Sequence, residues 1–313
     1  MDSTTFQFPN RRLTSTGRER RVGVEIEFNS VELQAVAQLV QKLFGGVVKP
    51  EHRFAYKVLS TRLGDFEIDS DSSFVSKRKW EKYLDLFGVR IPSIDETIED
   101  LVASVSDEVV PYEITSPPIS FYALPEMERL RKELQKAGAR GTHAHFFTAF
   151  GLQFNPELPD LRLETMLGYM RAFFLSYEKL VASEDIPLAR RVLPFIDPFP
   201  EAYIDQVLDR AYKPSLNGFM RDYLELNPTR NRPLDWLPLF AYIDKDLVFE
   251  YPVEKELIKP RPTLHYRLPS SLIDDPTWSL ALEWNKWVEI ENLAEELSSS
   301  SFLDTEPSQG PRP

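Results

Sequence analysis

The chain has 313 residues, of which 42% are hydrophobic and 27% charged, and this composition is that of a folded globular protein. The formal net charge of -12 argues against nucleic acid as a partner, because such binding needs a basic face. There is no cysteine, which excludes disulfides, zinc–thiolate sites, iron–sulfur clusters and thiol nucleophiles. Without an apolar run of membrane-spanning length or a signal-peptide segment in residues 1–21, we expect a cytoplasmic protein with no membrane partner.

In chain order, the sequence predicts helices and short strands that alternate irregularly. Residues 1–19 lack periodicity and residues 298–313 are rich in serine and proline, so both ends are expected to be disordered. A helix follows Asn29 and stops at Gly45, and further helices are predicted at 93–105, 124–138, 160–182, 200–212, 216–226 and 276–297. This order favours a single α+β domain over 20–297 with a largely antiparallel sheet.

Acidic residues recur at alternate positions of several predicted strands. In residues 22–28 the apolar side chains share one face of the strand, and two glutamates share the other. The carboxylates that follow this pattern are Glu25, Glu27, Glu67, Asp69 and Glu113. If these strands belong to one sheet, its open face is a concave bed of carboxylates, whose oxygen atoms suit Mg²⁺ or Mn²⁺.

The same alternation is typical of any antiparallel strand with one solvated face. For a single strand that interpretation is favoured by about two to one. Repetition across several strands weakens it, because solvated strands usually mix Lys, Thr and Glu instead of repeating acids. Both interpretations therefore stand at this point.

Arginines in later blocks complement these acids. Arg230 and Arg232 lie in residues 227–233, Arg261 precedes Pro262, and Arg267 follows His265 by two positions. Guanidinium groups bind phosphate or carboxylate bidentately. Each arginine alone fits a surface or packing role. Together with the acids, they indicate a site for a nucleoside triphosphate, metal ions and a substrate carboxylate.

Several blocks resemble the amidoligase family of carboxylate–amine ligases, which is related to glutamine synthetase and glutamate–cysteine ligase. The blocks are Gly-Val-Glu-Ile-Glu-Phe, Leu-Gly-Asp-Phe-Glu-Ile-Asp, Glu-Ile-Thr-Ser-Pro-Pro, and residues 151–157, 227–240 and 261–269. Gly-x-Glu-x-Glu alone is a weak motif, but the ordered set of blocks over residues 20–295 is specific.

The resemblance implies a glutamine synthetase-like catalytic fold, in which an antiparallel sheet carries metal carboxylates and helices pack behind it. It implies a reaction in which ATP phosphorylates a substrate carboxylate and an amine then displaces phosphate, leaving an amide. The substrates would be a small-molecule or peptide carboxylate and an amine, and the cofactors ATP and Mg²⁺ or Mn²⁺. The oligomeric state is left open.

The resemblance also implies roles for individual residues. The implied metal ligands are Glu25, Glu27, Glu67, Asp69 and Glu113, with Gln153 and His265 as further members of the metal site. Arg230, Arg232 and Arg267 would hold phosphate or the substrate carboxylate during the reaction, and Arg261 would join them in binding the nucleotide. All of these assignments follow from the family pattern, not from spacing.

One position departs from the family pattern. The family usually has histidine where this chain has Gln153, and a glutamine offers only a neutral amide oxygen to a metal. His143 or His145 could compensate, although both also fit an ordinary strand or loop.

Two alternatives to an active ligase remain open. One is a catalytically impaired relative that binds a nucleotide or peptide and acts as an interaction protein. The other is a metal-dependent hydrolase built on His143 and His145, which leaves the arginine blocks unexplained.

Overall fold

The computed structural model describes residues 5–52, 54–70, 111–142, 150–183 and 196–299. The predicted helix at 93–105 and the pair His143 and His145 lie outside these residues. Within them, no helix has the length and apolar character that crossing a membrane requires.

The described strands form one sheet. Its strands are β1 (Arg21–Phe28), β2 (Val47–His52), β3 (Ala55–Thr61), β4 (Gly64–Ser70), β5 (Tyr112–Thr115), β6 (Ile119–Ser120), β7 (Leu152–Pro156), β8 (Leu234–Asp235) and β9 (His265–Tyr266). They are arranged in the order β2-β3-β4-β5-β1-β7-β9-β8, with β6 also paired to β1. Every pairing between these strands is antiparallel, which confirms the predicted α+β class with a largely antiparallel sheet.

The helices of the described ranges pack with the sheet into one hydrophobic core. They are α1 (Leu33–Phe44), α2 (Leu124–Lys136), α3 (Leu163–Ser183), α4 (Glu201–Leu208), α5 (Leu216–Leu226), α6 (Leu237–Ile243), α7 (Lys245–Phe249) and α8 (Leu280–Ser299). Short 3-10 turns occupy Phe121–Ala123 and Lys255–Leu257. Helix α1 begins at Leu33 rather than after Asn29, because Asn29 is buried and paired with Arg140 in a β-bridge.

The alternation in β1 decides which face is covered. Val22, Val24, Ile26 and Phe28 are completely buried, whereas the residues between them are partly exposed. Aromatic contacts continue this core into the helices, as between Phe154 of β7 and Trp284 of α8, whose ring centroids lie 5.4 Å apart. The opposite face of the sheet, which we call the open face, carries the polar residues and is not covered by the helices that the structure describes.

Residues 5–19 correct the prediction of a disordered N-terminal segment, because they pack onto the helical layer. Phe6 is buried, and Trp284 Nε1 donates a hydrogen bond to the carbonyl oxygen of Gln7 at 2.9 Å. Arg11 forms an ion pair with Asp160 at 2.6 Å. The C-terminal segment predicted to be disordered starts at residue 298, but α8 continues to Ser299. Residues 300–313 lie outside the described ranges.

Candidate active site

A first row of polar residues crosses the open face from β4 to β7. Glu67 of β4 and Glu25 of β1 both pair with Thr115 of β5, one from each side. On its other side Glu25 pairs with Gln153 of β7. Residues in register on neighbouring strands point to the same face, so these four side chains lie in a line across the sheet.

A second row lies two residues further along the strands. Asp69 of β4 and Glu27 of β1 both pair with Glu113 of β5. A carboxylate oxygen of Glu27 accepts a hydrogen bond from the backbone N–H of Gly151 at 2.6 Å. The two rows together place the five predicted carboxylates on one face, as the alternation in the sequence indicates.

Glu113 lies at the centre of this acidic face. Burial raises its pKa well above the ordinary value, and the negative charges of Glu25 and Glu27, a hydrogen bond with Glu25 and the charge of Asp69 raise it further. Two carboxyl groups form a hydrogen bond when one of them keeps its proton. The inner part of the face is therefore a site where carboxylates repel one another and where a cation would relieve the repulsion.

Glu67 occupies the margin of the acidic face. It is separated from Glu25 by the whole of β5, which corresponds to about 10 Å between the two backbones. Its side chain is 48% exposed and forms an ion pair with Lys57 at 3.3 Å. Among the residues that the structure describes, no three His, Asp or Glu side chains converge as a formed metal-binding group. The acidic face thus consists of carboxylates aligned by strand pairing, with Glu25 and Glu113 at its centre.

A chain of hydrogen bonds connects the acidic face to β9. Asn155 Nδ2 donates to Glu25 Oε1 at 2.6 Å, and Gln153 Nε2 donates to Asn155 Oδ1 at 2.8 Å. The same Gln153 nitrogen lies 3.1 Å from His265 Nδ1. Because an amide nitrogen can only donate, Nδ1 of His265 accepts this bond and is unprotonated.

His265 is held as a neutral imidazole. Burial lowers its pKa well below the ordinary value, and the positive charges of Arg230, Arg261 and Arg267 lower it further. Its Nε2 atom is buried without a hydrogen-bond partner in the described ranges. His265 therefore lies at the junction between the acidic face and a group of arginines.

The surroundings of Gly23 explain why the Gly-x-Glu-x-Glu motif begins with glycine. It pairs with Asn155 across the β1–β7 ladder, and a Cβ atom at this position would lie 3.3 Å from Asn155 Nδ2. A larger side chain would displace the amide that holds Glu25. The glycine therefore keeps the hydrogen bond from Asn155 to Glu25 in place.

Three of the four predicted arginines surround His265. Arg230 Nε lies 3.3 Å from the carboxylate of Asp235, which is fully buried and pairs with His265 across the β8–β9 ladder. Arg267 donates from Nη1 to the carbonyl oxygen of Arg230 at 2.8 Å. The positive charges of Arg230, Arg261 and Arg267 all act on His265. The three arginines therefore lie near the end of the hydrogen-bond series that runs from Glu25 to His265.

Arg232 does not join this group, and the structure does not support its predicted role. Its guanidinium donates to the carbonyl oxygens of Pro198, Asp197 and Leu226 and lies over the ring of Phe199 at 5.7 Å. Burial lowers its pKa, and the groups that act on it electrostatically are Tyr223, Asp197 and Tyr177. Arg232 therefore packs against Phe199 and the neighbouring carbonyl groups, whereas Arg230, two positions before it, pairs with Asp235.

Sequence reasoning missed several residues of this region. Thr115 and Asn155 share the face of the acids by strand parity, so the alternation that identified the acids also marked them. A cleft of about 360 Å³ adjoins Gly23 and Asn155, and it is lined by Arg18, Arg21 and Arg261. Arg18 and Arg21 flank the start of β1 and were not selected as site residues.

Comparison with known proteins identifies the family. No curated protein and no solved structure matches the chain. A family model described as "Putative amidoligase enzyme" matches residues 18–289, which include every residue of the acidic face and of the arginine group. The chain therefore belongs to the amidoligase family.

Proposed function

We propose that this protein is an ATP-dependent carboxylate–amine ligase that forms an amide through an acyl phosphate. The observation that carries the proposal is the register of β4, β5, β1 and β7, which aligns acidic residues beside the arginine group. The family assignment supports a ligase at a coarse level. The antiparallel sheet with helices on one face agrees with the proposed glutamine synthetase-like fold.

The donor chemistry of the inner acidic face suits Mg²⁺ or Mn²⁺. The donors would be the carboxylates of Glu25 and Glu113 with the neighbouring Glu27 and Asp69, all of them oxygen ligands of the kind hard cations prefer. Burial raises the pKa of Glu113, the negative charges around it raise it further, and a bound cation would offset the repulsion between these charges. When bound, the cation would neutralise the negative charges of the ATP phosphates.

The remaining residues position the reactants. Asn155 fixes Glu25 through its 2.6 Å hydrogen bond, so this carboxylate has a defined direction. Arg230 and Arg267 provide guanidinium groups that would stabilise negative charge on the transferred phosphoryl group or on the substrate carboxylate. The neutral His265 beside them would contribute a hydrogen bond without adding a further positive charge.

The test is a product screen with the full chain. Purified protein is incubated with ATP, Mg²⁺ and pools of amino acids, peptides and polyamines, and both phosphate release and new amide masses are followed. The proposal predicts ATP-dependent product from at least one pool. If the nucleotide binds and no pool gives product, the ligase assignment is abandoned.

A second candidate function has one specific observation in its favour. Gln153 directs its amide nitrogen to both Asn155 and His265, so it presents a donor where the family usually has a histidine ligand. A catalytically impaired relative that binds nucleotide would have this property. It predicts nucleotide binding that depends on Glu25 together with no turnover in the product screen.

A further inference from the structure

Arg18, Arg21 and Arg261 line a cleft at the start of β1, which we call the arginine cleft. Its volume is about 360 Å³, near the lower end for small-molecule sites. Gly23 and Asn155 form part of its floor. Gly23 precedes Glu25 by two positions on the same face of β1, so the cleft is about 7 Å from the acidic face along the strand.

The charges that line the arginine cleft do not cancel. Among the described residues that line it, one is acidic, Glu157, and it forms an ion pair with Arg18. Within the described ranges, neither Arg21 nor Arg261 has a carboxylate at ion-pair distance. Three guanidinium groups against one carboxylate leave two positive charges in a protein whose formal net charge is -12. This imbalance favours an anionic ligand.

An unused hydrogen-bonding group lies in the same wall. Thr263 lines the arginine cleft, and its hydroxyl oxygen is buried without a hydrogen-bond partner among the described residues. Buried polar atoms are usually satisfied, and a ligand atom could satisfy this one. The cleft therefore offers two free guanidinium groups and one hydroxyl donor.

We infer that the arginine cleft binds a carboxylate of one substrate that the reaction does not consume. This inference rests on the proposed ligase function. A triphosphate brings several negative charges together with its cation, and that cation belongs with the carboxylates of the acidic face. The arginine cleft is small, and Glu157 would repel a phosphate more strongly than a carboxylate, because a phosphate carries the larger negative charge. A single carboxylate therefore fits the cleft best. One substrate therefore carries a carboxylate that does not react, as in an amino acid, a peptide or a dicarboxylic acid. A polyamine paired with a simple monocarboxylic acid has no such group.

The first test measures binding to the full chain without ATP or metal. The probes are N-acetylalanine, its neutral amide and inorganic phosphate, titrated by calorimetry. We expect N-acetylalanine to bind at least about 10-fold more tightly than its amide, since loss of one charge-assisted pair is worth about that factor. Arg21→Gln and Arg261→Gln should each weaken N-acetylalanine binding about 10-fold. Arg221→Gln, which alters an exposed pair with Glu250 on another part of the surface, should leave binding unchanged.

Three results would overturn the inference. One is equal binding of N-acetylalanine and its amide, or binding of neither. Another is that Arg21→Gln and Arg261→Gln both bind N-acetylalanine with the affinity of the wild type and have unchanged unfolding temperatures. The third is tighter binding of phosphate that depends on Arg21 and Arg261, which would make the arginine cleft a nucleotide subsite.

Turnover separates this inference from the proposed function. If the wild type forms an amide and Arg21→Gln leaves the KM of every substrate unchanged, the ligase stands and the carboxylate subsite fails. If N-acetylalanine binds through Arg21 and Arg261 but no pool gives product, the subsite stands and the ligase fails. When both hold, Arg21→Gln raises the KM of the carboxylate-bearing substrate and leaves that of ATP unchanged.

Discussion

Gln153 lies between Glu25 and His265 on the open face of the sheet. Its backbone pairs with Glu25 of β1, and its Nε2 atom lies 3.1 Å from Nδ1 of His265. Gln153 is therefore the link between the acidic face and the arginine group. Its amide nitrogen is engaged on both sides, so it holds its neighbours in place.

Gln153→His tests whether this position has lost a metal ligand. An imidazole nitrogen is a better ligand for Mn²⁺ than a neutral amide, so the variant should bind Mn²⁺ roughly 10-fold more tightly. Calorimetry with Mn²⁺ measures the change, and Gln153→Ala, which removes both ligand types, is the control. Equal Mn²⁺ affinity in all three proteins would mean that residue 153 does not contact the metal.

Glu25→Gln should lower turnover by roughly 100-fold or more, because it removes a proposed cation ligand at the core of the acidic face. Glu67→Gln is the matched comparison. Its carboxylate lies at the margin beside Lys57, so we expect a loss of less than about 10-fold. Steady-state rates of phosphate release, with circular dichroism to verify folding, provide the measurement. Equal losses in the two variants would contradict the distinction between core and margin.

Glu113→Gln should change how stability depends on pH. The folded protein holds a proton on Glu113 at pH values where the unfolded chain has released it, because the pKa of this carboxyl is raised. Without metal, the wild type therefore loses stability as pH rises above the ordinary glutamate value of 4.5. The variant should lack this loss and should also lose its stabilisation by Mg²⁺.

Urea unfolding at several pH values, with and without Mg²⁺, checks this prediction. The comparison at low pH is the internal control, since both side chains are neutral there and stability should be similar. A variant that unfolds in parallel with the wild type at every pH would show that Glu113 is an ordinary carboxylate.

Arg232→Met should lower stability and leave catalysis intact. The substitution keeps an extended apolar side chain but removes the charged donor of the part-buried hydrogen bonds to the carbonyl oxygens of Asp197, Pro198 and Leu226. The expected cost is about 1–3 kcal/mol. Thermal unfolding measures it, with Arg221→Gln as a surface control. If kcat/KM fell by orders of magnitude while stability stayed constant, Arg232 would belong to the active site after all.

The acidic face could be predicted from the sequence because strand parity is a local property. A period of two fixes Glu25 and Glu27 on one side of β1 whatever the partner strands are. The register with Glu113 could not be predicted in the same way, because it depends on which residues of β5 meet β1 across a long stretch of chain. Only the recurrence of acids at matching parity indicated that the strands share a face.

The arginines show where sequence reasoning fails. Arg230 and Arg232 belong to one motif, yet bends in the chain separate their side chains, and no periodicity describes such a loop. Arg18 could not be predicted because the segment before β1 is aperiodic and polar, and Arg21 is the first residue of β1, at the end of that segment. That segment is ordered by distant contacts, such as the hydrogen bonds of Gln7 with Asn285 and Trp284, which composition does not reveal.

The most direct test of the central claim is an oxygen-isotope transfer experiment on the acid–amine pair that the product screen identifies. The substrate carboxylate is labelled with ¹⁸O, and the inorganic phosphate released during amide formation is analysed by mass spectrometry. Attack of a carboxylate oxygen on ATP followed by displacement by the amine predicts one ¹⁸O atom in phosphate for each amide formed, and no such phosphate with Glu25→Gln. Amide formation with unlabelled phosphate would contradict phosphoryl transfer to the carboxylate.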